Sequence, residues 1–486
     1  MAATDTAPRR PWWTRGLAPH ERRPGDVPPD DRPGWTEFVE SVVEHAPAQP
    51  VACPPAARGL AALTAALTPF VQVATERLAT RYRDVDMAGV RAGFADQLGD
   101  RLVRLAARTL VTELGAAART GRLTAATPED RFAEFVGRTG TRAGLATLCG
   151  DYPVLARLLG QACLHAVDAH HELLGRFAAD RDRVVATLCH GVDPGPVVGI
   201  DVGRGDSHQA GRSVAMLRFA AADPIVYKPR SLAVQAHFDE IIAWLNGRVP
   251  DLDLRTASCL PMAGYGWQEF VGHQPCADAA GVERFYRRQG ALLALLYALD
   301  ATDIHFENLI AHADQPVLVD METLFHPALR PGAAAAADPA WQRLASSVAR
   351  TTLLPTVMLG EHGALDVSGL GGDRDRVLPS DTVGWVAAGT DRMRLVRRPG
   401  TFGGAVNRPR IGDADADPRE YTDALVGGFR SGYGAITAHR TEVAELVRRC
   451  AGDTVRIVAR TTQDYVTLLD ESTHPDVLRD AADRDA

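Results

Sequence analysis

Apolar positions along the chain follow two different periods. From Trp35 to about Gly195 they recur at three- and four-residue steps, most clearly over 60–83 and 90–122, as on one face of an α-helix. Thr127-Pro128-Glu129-Asp130 predicts a helix start, with Thr as N-cap, Pro in the first position and acids in the first turn. Residues 151–179 and 181–191 continue the helical pattern. Such a layer can serve packing alone or also dock a peptide. At Pro194 the period shortens. Runs at 197–202, 213–219 and 224–228 read as short strands separated by Gly-rich or Ala-Asp-Pro turns. A helix is predicted over 232–246, with Val234, Phe238, Ile241, Ile242 and Leu245 on one face. A strand follows at 264–270, then a long helix near 281–300.

Composition narrows the class without changing the elements. A chain of 486 residues, 46% hydrophobic and 23% charged, fits a soluble globular protein of several packed units. Residues 1–34 are rich in Pro, Arg and Asp and are expected to be disordered, although the Trp12-Trp13 pair can dock on the body. The net charge of -8 and the lack of a long basic run argue against a nucleic-acid partner. Arg clusters at 392–398, 408–410 and 448–460 still allow a locally basic groove. Seven scattered Cys, an odd number without a C-x-x-C pair, read as free thiols of a reducing compartment and argue against a structural zinc site. The N-terminus lacks an apolar signal segment, and no stretch is apolar enough to span a membrane, so a cytoplasmic location is expected.

The sharpest chemical constellation is Asp303-Ile304-His305-Phe306-Glu307-Asn308, followed by the apolar strand 317–320, which ends in Asp320, and then by Glu322. Phosphoryl transfer from ATP needs a carboxylate beside the attacking hydroxyl and oxygen ligands for Mg²⁺. Asp303 can supply the first; Asn308 and Asp320 can supply the second, and Glu322 can bind a second metal or hold the loop. Lys228, at the end of the run 224–228 in a Lys-poor chain, stands where a kinase fold grips nucleotide phosphates. The turn 205–213 stands where a kinase has its Gly-rich flap, but it carries Asp206 and His208, an acid and a proton carrier that a plain flap does not need. This order predicts an α+β protein. A helical N-terminal region (35–195) precedes a kinase-like, more nearly lipid-kinase-like, two-lobed core: a β-rich N-lobe (196–272) and a mostly helical C-lobe (273–486).

Five ordered motifs make a family resemblance specific. They are Gly205 to Ser213, Val226 to Ser231, Gly264 to Phe270, Asp303 to Leu309 and Val319 to Phe325. Together they resemble the dehydratase domain of class II lanthipeptide synthetases (LanM type). Arg108 to Leu114, Gly121 to Thr124, Arg131-Phe132, Tyr421, Gly428-Phe429, Tyr433 and Arg456 through Pro475 extend the likeness from about residue 35 to the end.

The resemblance implies ATP- and Mg²⁺-dependent phosphorylation of Ser and Thr in a precursor peptide bearing a leader. Elimination of phosphate to dehydroalanine and dehydrobutyrine follows. It assigns Lys228, Asp303, His305, Asn308, Asp320 and Glu322 to phosphorylation, and Asp206, His208, Arg456 and Thr462 to elimination. Arg456 suits a phosphate held bidentately, and His208 oriented by Asp206 suits proton movement near neutral pH. The segment 366–371 and a basic loop at 394–410 are expected to line the peptide path. Longer family members add a zinc-binding cyclase; none is recognised here, so no zinc and no ring formation are expected, and the C-lobe reads as truncated, with a separate cyclase as partner. Two alternatives are a phosphotransferase that does not eliminate and a non-catalytic peptide-binding remnant.

Overall fold

The computed structural model describes residues 11–22, 32–51, 59–78, 80–203, 210–327, 338–458 and 462–485. Helix and sheet are mixed, in keeping with an α+β chain. The N-terminal region contains α1 (Gly34–His45), α2 (Leu60–Thr64), α3 (Thr68–Arg77), α4 (Met87–Arg119), α5 (Pro128–Thr139), α6 (Arg142–Asp151) and α7 (Pro153–Leu188). Helix α5 starts at the predicted signal: Thr127 Oγ1 accepts from the Asp130 amide at 3.0 Å, and Pro128 opens the first turn. The helical stretches read as 151–179 and 181–191 are one helix, α7. Asp180, at the supposed break, is buried inside it and accepts from Tyr265 Oη at 2.8 Å and Trp267 Nε1 at 2.9 Å.

The expectation of disorder over 1–34 does not hold for residues 11–22. They form 3-10 turns at Trp12–Gly16 and Pro19–Glu21. Trp13 is buried, Trp12 meets Trp35 edge-on at 5.9 Å, and Trp35 Nε1 donates to Glu21 at 3.1 Å. Two indoles outweigh the polar composition around them, because each removes a large apolar area from water.

Beyond α7 an antiparallel sheet is built from β1 (Val197–Val202), β2 (Ala215–Phe219), β3 (Ile225–Lys228), β4 (Cys259–Met262) and β5 (Tyr265–Glu269), in the spatial order β1-β2-β3-β5-β4. Strand β4 was not among the predicted runs; it contains Pro261 and has no clear alternation. One face of the sheet packs on the helices. Phe177 of α7 meets Phe219 at 5.7 Å and Trp267 at 5.9 Å, and Tyr227 meets Trp267 at 5.0 Å. Strand alternation turns the next residue, Lys228, to the opposite face.

That face looks toward a second core. Helix α8 (Ala233–Asn246) contributes Phe238, Ile241, Ile242 and Leu245, as its apolar stripe predicts, and α9 (Ala279–Ala298) contributes Leu292, Leu293, Leu295 and Leu296. Helix Thr422–Ala438 lies directly on α9. A Cβ on Gly290 would collide with the Leu425 carbonyl, and one on Gly428 with the Arg287 carbonyl. The two backbones touch, so glycine is required at both positions by close approach.

The region after α9 is less helical than its sequence reading. Residues 309–415 carry the hairpin of β6 (Leu309–His312) and β7 (Gln315–Leu318), a second of β8 (Val357–Gly360) and β9 (Gly363–Asp366), and a third of β10 (Arg376–Val386) and β11 (Arg394–Phe402). The mostly helical description of 273–486 is therefore corrected for this stretch. The basic segment from Arg394 is a strand paired with β10, not a loop, for the first nine residues. Its arginines hid the two-residue period from a reading that looks for alternating apolar side chains.

Candidate active site

The predicted acid loop is held from both sides. After α9, Ala301 and Ile304 are fully buried and flank Asp303. Thr302 N donates to the Thr323 carbonyl at 3.3 Å, Thr323 Oγ1 donates to the Thr302 carbonyl at 2.5 Å, and Ile304 N donates to the Thr351 carbonyl at 2.9 Å. Between these anchors Asp303 takes a left-handed backbone, φ +61°. Asp tolerates that conformation better than most residues.

A chain of hydrogen bonds joins this loop to the sheet. Asn308 Nδ2 donates to the Asp303 carbonyl at 2.7 Å. Val319 N donates to the Asn308 carbonyl at 3.0 Å. Lys228 Nζ donates to the Val319 carbonyl. Strand β7 stops at Leu318, so Val319 and Asp320 extend just past the predicted strand tip. Lys228, Asn308, Asp303 and Asp320 are thus brought together where the sheet meets the loops, the candidate cleft.

Charges in the cleft are strongly paired. Arg230 Nη2 contacts Asp320 Oδ1 at 2.6 Å, and its Nη1 contacts Glu322. Arg456 Nη1 contacts Glu322 Oε1 at 2.8 Å, while its backbone N donates to the Glu322 carbonyl at 2.6 Å. His305 Nε2 lies 3.8 Å from Asp303 Oδ1. Burial is the main cause that pushes the Lys228 ammonium down to about 8, partly offset by Asp320. Burial acts to raise Asp320, yet Lys228 and Arg230 hold it below the usual carboxylate range. Burial raises Asp303 above that range, against the pull of His305 and Arg456.

Asp320 and Glu322 offer carboxylate oxygens and Asn308 an amide oxygen, the donor types that a hard cation takes, and here both carboxylates are paired with arginines. Arg456, assigned by resemblance to another step, meets the same cluster through Glu322. Asp206 and His208 lie outside the described residues. Thr462 is the first residue of helix Thr462–Glu471. Arg230 was not singled out from the sequence, although it stands two residues after Lys228 in a quoted motif; its two carboxylate partners are about 90 residues away, and spacing alone does not reveal them.

Helix α7 holds the sheet through Asp180, and a family match begins at its N-cap. The model of a family described as a domain of unknown function, DUF4135, covers residues 152–486. The lacticin 481/lactococcin biosynthesis protein LcnDR2 of Lactococcus lactis subsp. lactis is 23% identical over 397 residues, which are 78% of this chain and 42% of that protein. The chain therefore spans less than half the length of that relative. Both matches bear out the resemblance to class II lanthipeptide synthetases. With well over half of its residues in the match, the chain belongs to the DUF4135 family, as a class II lanthipeptide synthetase-like protein.

Proposed function

We propose that this chain serves lanthipeptide biosynthesis as an ATP-dependent dehydratase that phosphorylates Ser and Thr of a precursor peptide and then eliminates the phosphate. The observation that supports it most is the meeting of Lys228, at the end of β3, with the Val319–Asp320 tip and the Asn308–Asp303 loop. In this reading the sheet and α8 form the small lobe of a kinase-like fold, and residues 273–486 form the large one.

Lys228 binds nucleotide phosphate, a role its low-dielectric setting strengthens. Asn308 and Asp320, with Glu322 beside them, hold Mg²⁺, which when bound neutralises phosphate charge. Asp303 accepts the proton of the attacking hydroxyl. Its raised pKa moves it toward the value that suits a base near neutral pH. His305, next to it, orients the carboxylate. For elimination, Arg456 leaves Glu322 to grip the departing phosphate, with Thr462 as a further donor, and His208 with Asp206 moves the proton.

The test is mass spectrometry of a Ser/Thr/Cys-rich peptide encoded beside the gene, incubated with the chain, ATP and Mg²⁺. A loss of about 18 Da per site supports the dehydratase. A stable gain of about 80 Da identifies a phosphotransferase that does not eliminate, and an unchanged mass a peptide-binding module; either overturns the proposal.

A further inference from the structure

Away from the cleft, α8 and the turn after helix Arg440–Arg449 bring together three side chains of metal-binding type. His237 projects from the second turn of α8. Cys450 opens the 3-10 turn Cys450–Gly452, and Asp453 caps it. One ligand atom from each lies within 4.8 Å of the others. His237 Nδ1 and Asp453 Oδ2 are 2.7 Å apart. Cys450 is 7% exposed, and its Sγ makes a long contact of 3.6 Å to the Leu446 carbonyl of the preceding helix.

We propose that His237, Cys450 and Asp453 form a binding site for a divalent transition-metal ion of the zinc type, with one coordination position left to water. The chemistry of the set selects the metal. One thiolate, one imidazole and one carboxylate make a mixed S, N, O shell that suits Zn²⁺ and is a poor match to Mg²⁺ or Ca²⁺. The dimensions fit. Tetrahedral bonds of about 2.0–2.3 Å place ligand atoms roughly 3.3–3.5 Å apart, so the His237–Asp453 pair opens by about 0.6 Å and the thiol closes by up to about 1.3 Å.

Cys450 and Asp453 are three residues apart on a tight turn, which presents both toward α8. His237 is partly open to solvent, with a side-chain exposure of 28%, and gives the ion an entry path. Metal binding displaces the thiol proton of Cys450 and the hydrogen bond between His237 and Asp453. Burial, Asp453 and Glu240 push that thiol's pKa up. The sequence offered no sign of the triad, because His237 and Asp453 are 216 residues apart.

The position gives the ion a structural consequence. Three residues after Asp453, Arg456 meets Glu322 in the cleft, and α8 starts five residues after Lys228. An ion at the triad ties both borders of the cleft together at their outer ends.

The full chain is stripped with a chelator and titrated with Co²⁺, then with Zn²⁺ in competition. The expected result is one Co²⁺ per chain with a thiolate charge-transfer band and intense tetrahedral visible bands, both displaced by Zn²⁺. Both are lost in Cys450→Ser and in His237→Gln, and kept in Cys189→Ser, which removes another partly exposed thiol. Circular dichroism checks that the variants are folded. If either variant is unfolded, Asp453→Asn replaces it, with the same loss expected. A wild-type chain without the thiolate band, or a band that persists in folded Cys450→Ser, overturns the site and leaves His237–Asp453 an ordinary ion pair.

Discussion

The two borders of the candidate cleft are built in opposite ways. On the lysine border, a regular sheet lies against α4 and α7, helices of 33 and 36 residues, and Lys228 is 5% exposed, with Tyr227 and Trp267 packed behind the strand. On the acid border, Asp303, Asp320 and Glu322 stand on short loops, half-buried, and are placed by arginines and backbone carbonyls from distant segments. Burial fixes one border and charge pairing the other. The first should resist mutation of its charge; the second should depend on it.

Asp303→Asn makes the strongest test of that contrast. It keeps the left-handed backbone but removes the base, and phosphorylation should fall by roughly 10²–10⁴-fold, read as the rate of mass gain on the peptide. A variant with unchanged rate would show that the acid border is only structural.

Arg456→Met comes next. Glu322 keeps Arg230, so the fold should survive, while elimination slows by roughly 10²-fold and phosphopeptide accumulates. Loss of phosphorylation as well would make Arg456 a support for the acids rather than a phosphate ligand.

Lys228→Met should weaken Mg-nucleotide binding by roughly 10–100-fold, the worth of a charge-assisted hydrogen bond, measured by calorimetry. Stability should stay equal or rise, by up to about 2 kcal/mol, since a desolvated ammonium is removed while Asp320 retains Arg230. The sign with pH follows. Lys228 loses its proton near 8 in the folded protein and near 10.5 when unfolded, so nucleotide affinity should decline as pH rises through about 8. Between about 8 and 10.5 the unfolded chain binds more protons, and this group's contribution to stability should rise with pH. Both trends should vanish in Lys228→Met.

Gly290→Ala should have the smallest effect on chemistry. Overpacking against the Leu425 carbonyl should cost about 1–3 kcal/mol, seen as a lower denaturation midpoint, with the nucleotide affinity of the folded fraction unchanged.

The same contrast explains what the sequence revealed. The lysine border was legible because a two-residue period announces strands, and the 3.6-residue stripe of Phe238, Ile241, Ile242 and Leu245 announces α8. Asp303, Asn308 and Asp320 were legible as a spaced polar set, and the structure brings their loops together. Arg230 had no sequence signal for its pairing with Asp320 and Glu322, since contacts across 90 residues leave no period. Of the strands in 309–415 only the one leading to Asp320 was read, and the pairing of β10 with β11 was missed because arginines occupy many positions of β11. The Trp12–Trp13 segment shows the reverse case, where composition pointed to disorder and two indoles decided otherwise.

The backbone contact at Gly290 and Gly428 has a mechanical consequence. Where two helices are separated by side chains, rotamer changes let one slide along the other. Here no such cushion exists, and α9 and helix Thr422–Ala438 are yoked as a single lever. One arm of that lever runs into the loop of Asp303, and the other continues through helix Arg440–Arg449 to Arg456. Any movement of this helix pair should therefore carry Asp303 and Arg456 together, so that their spacing is preserved.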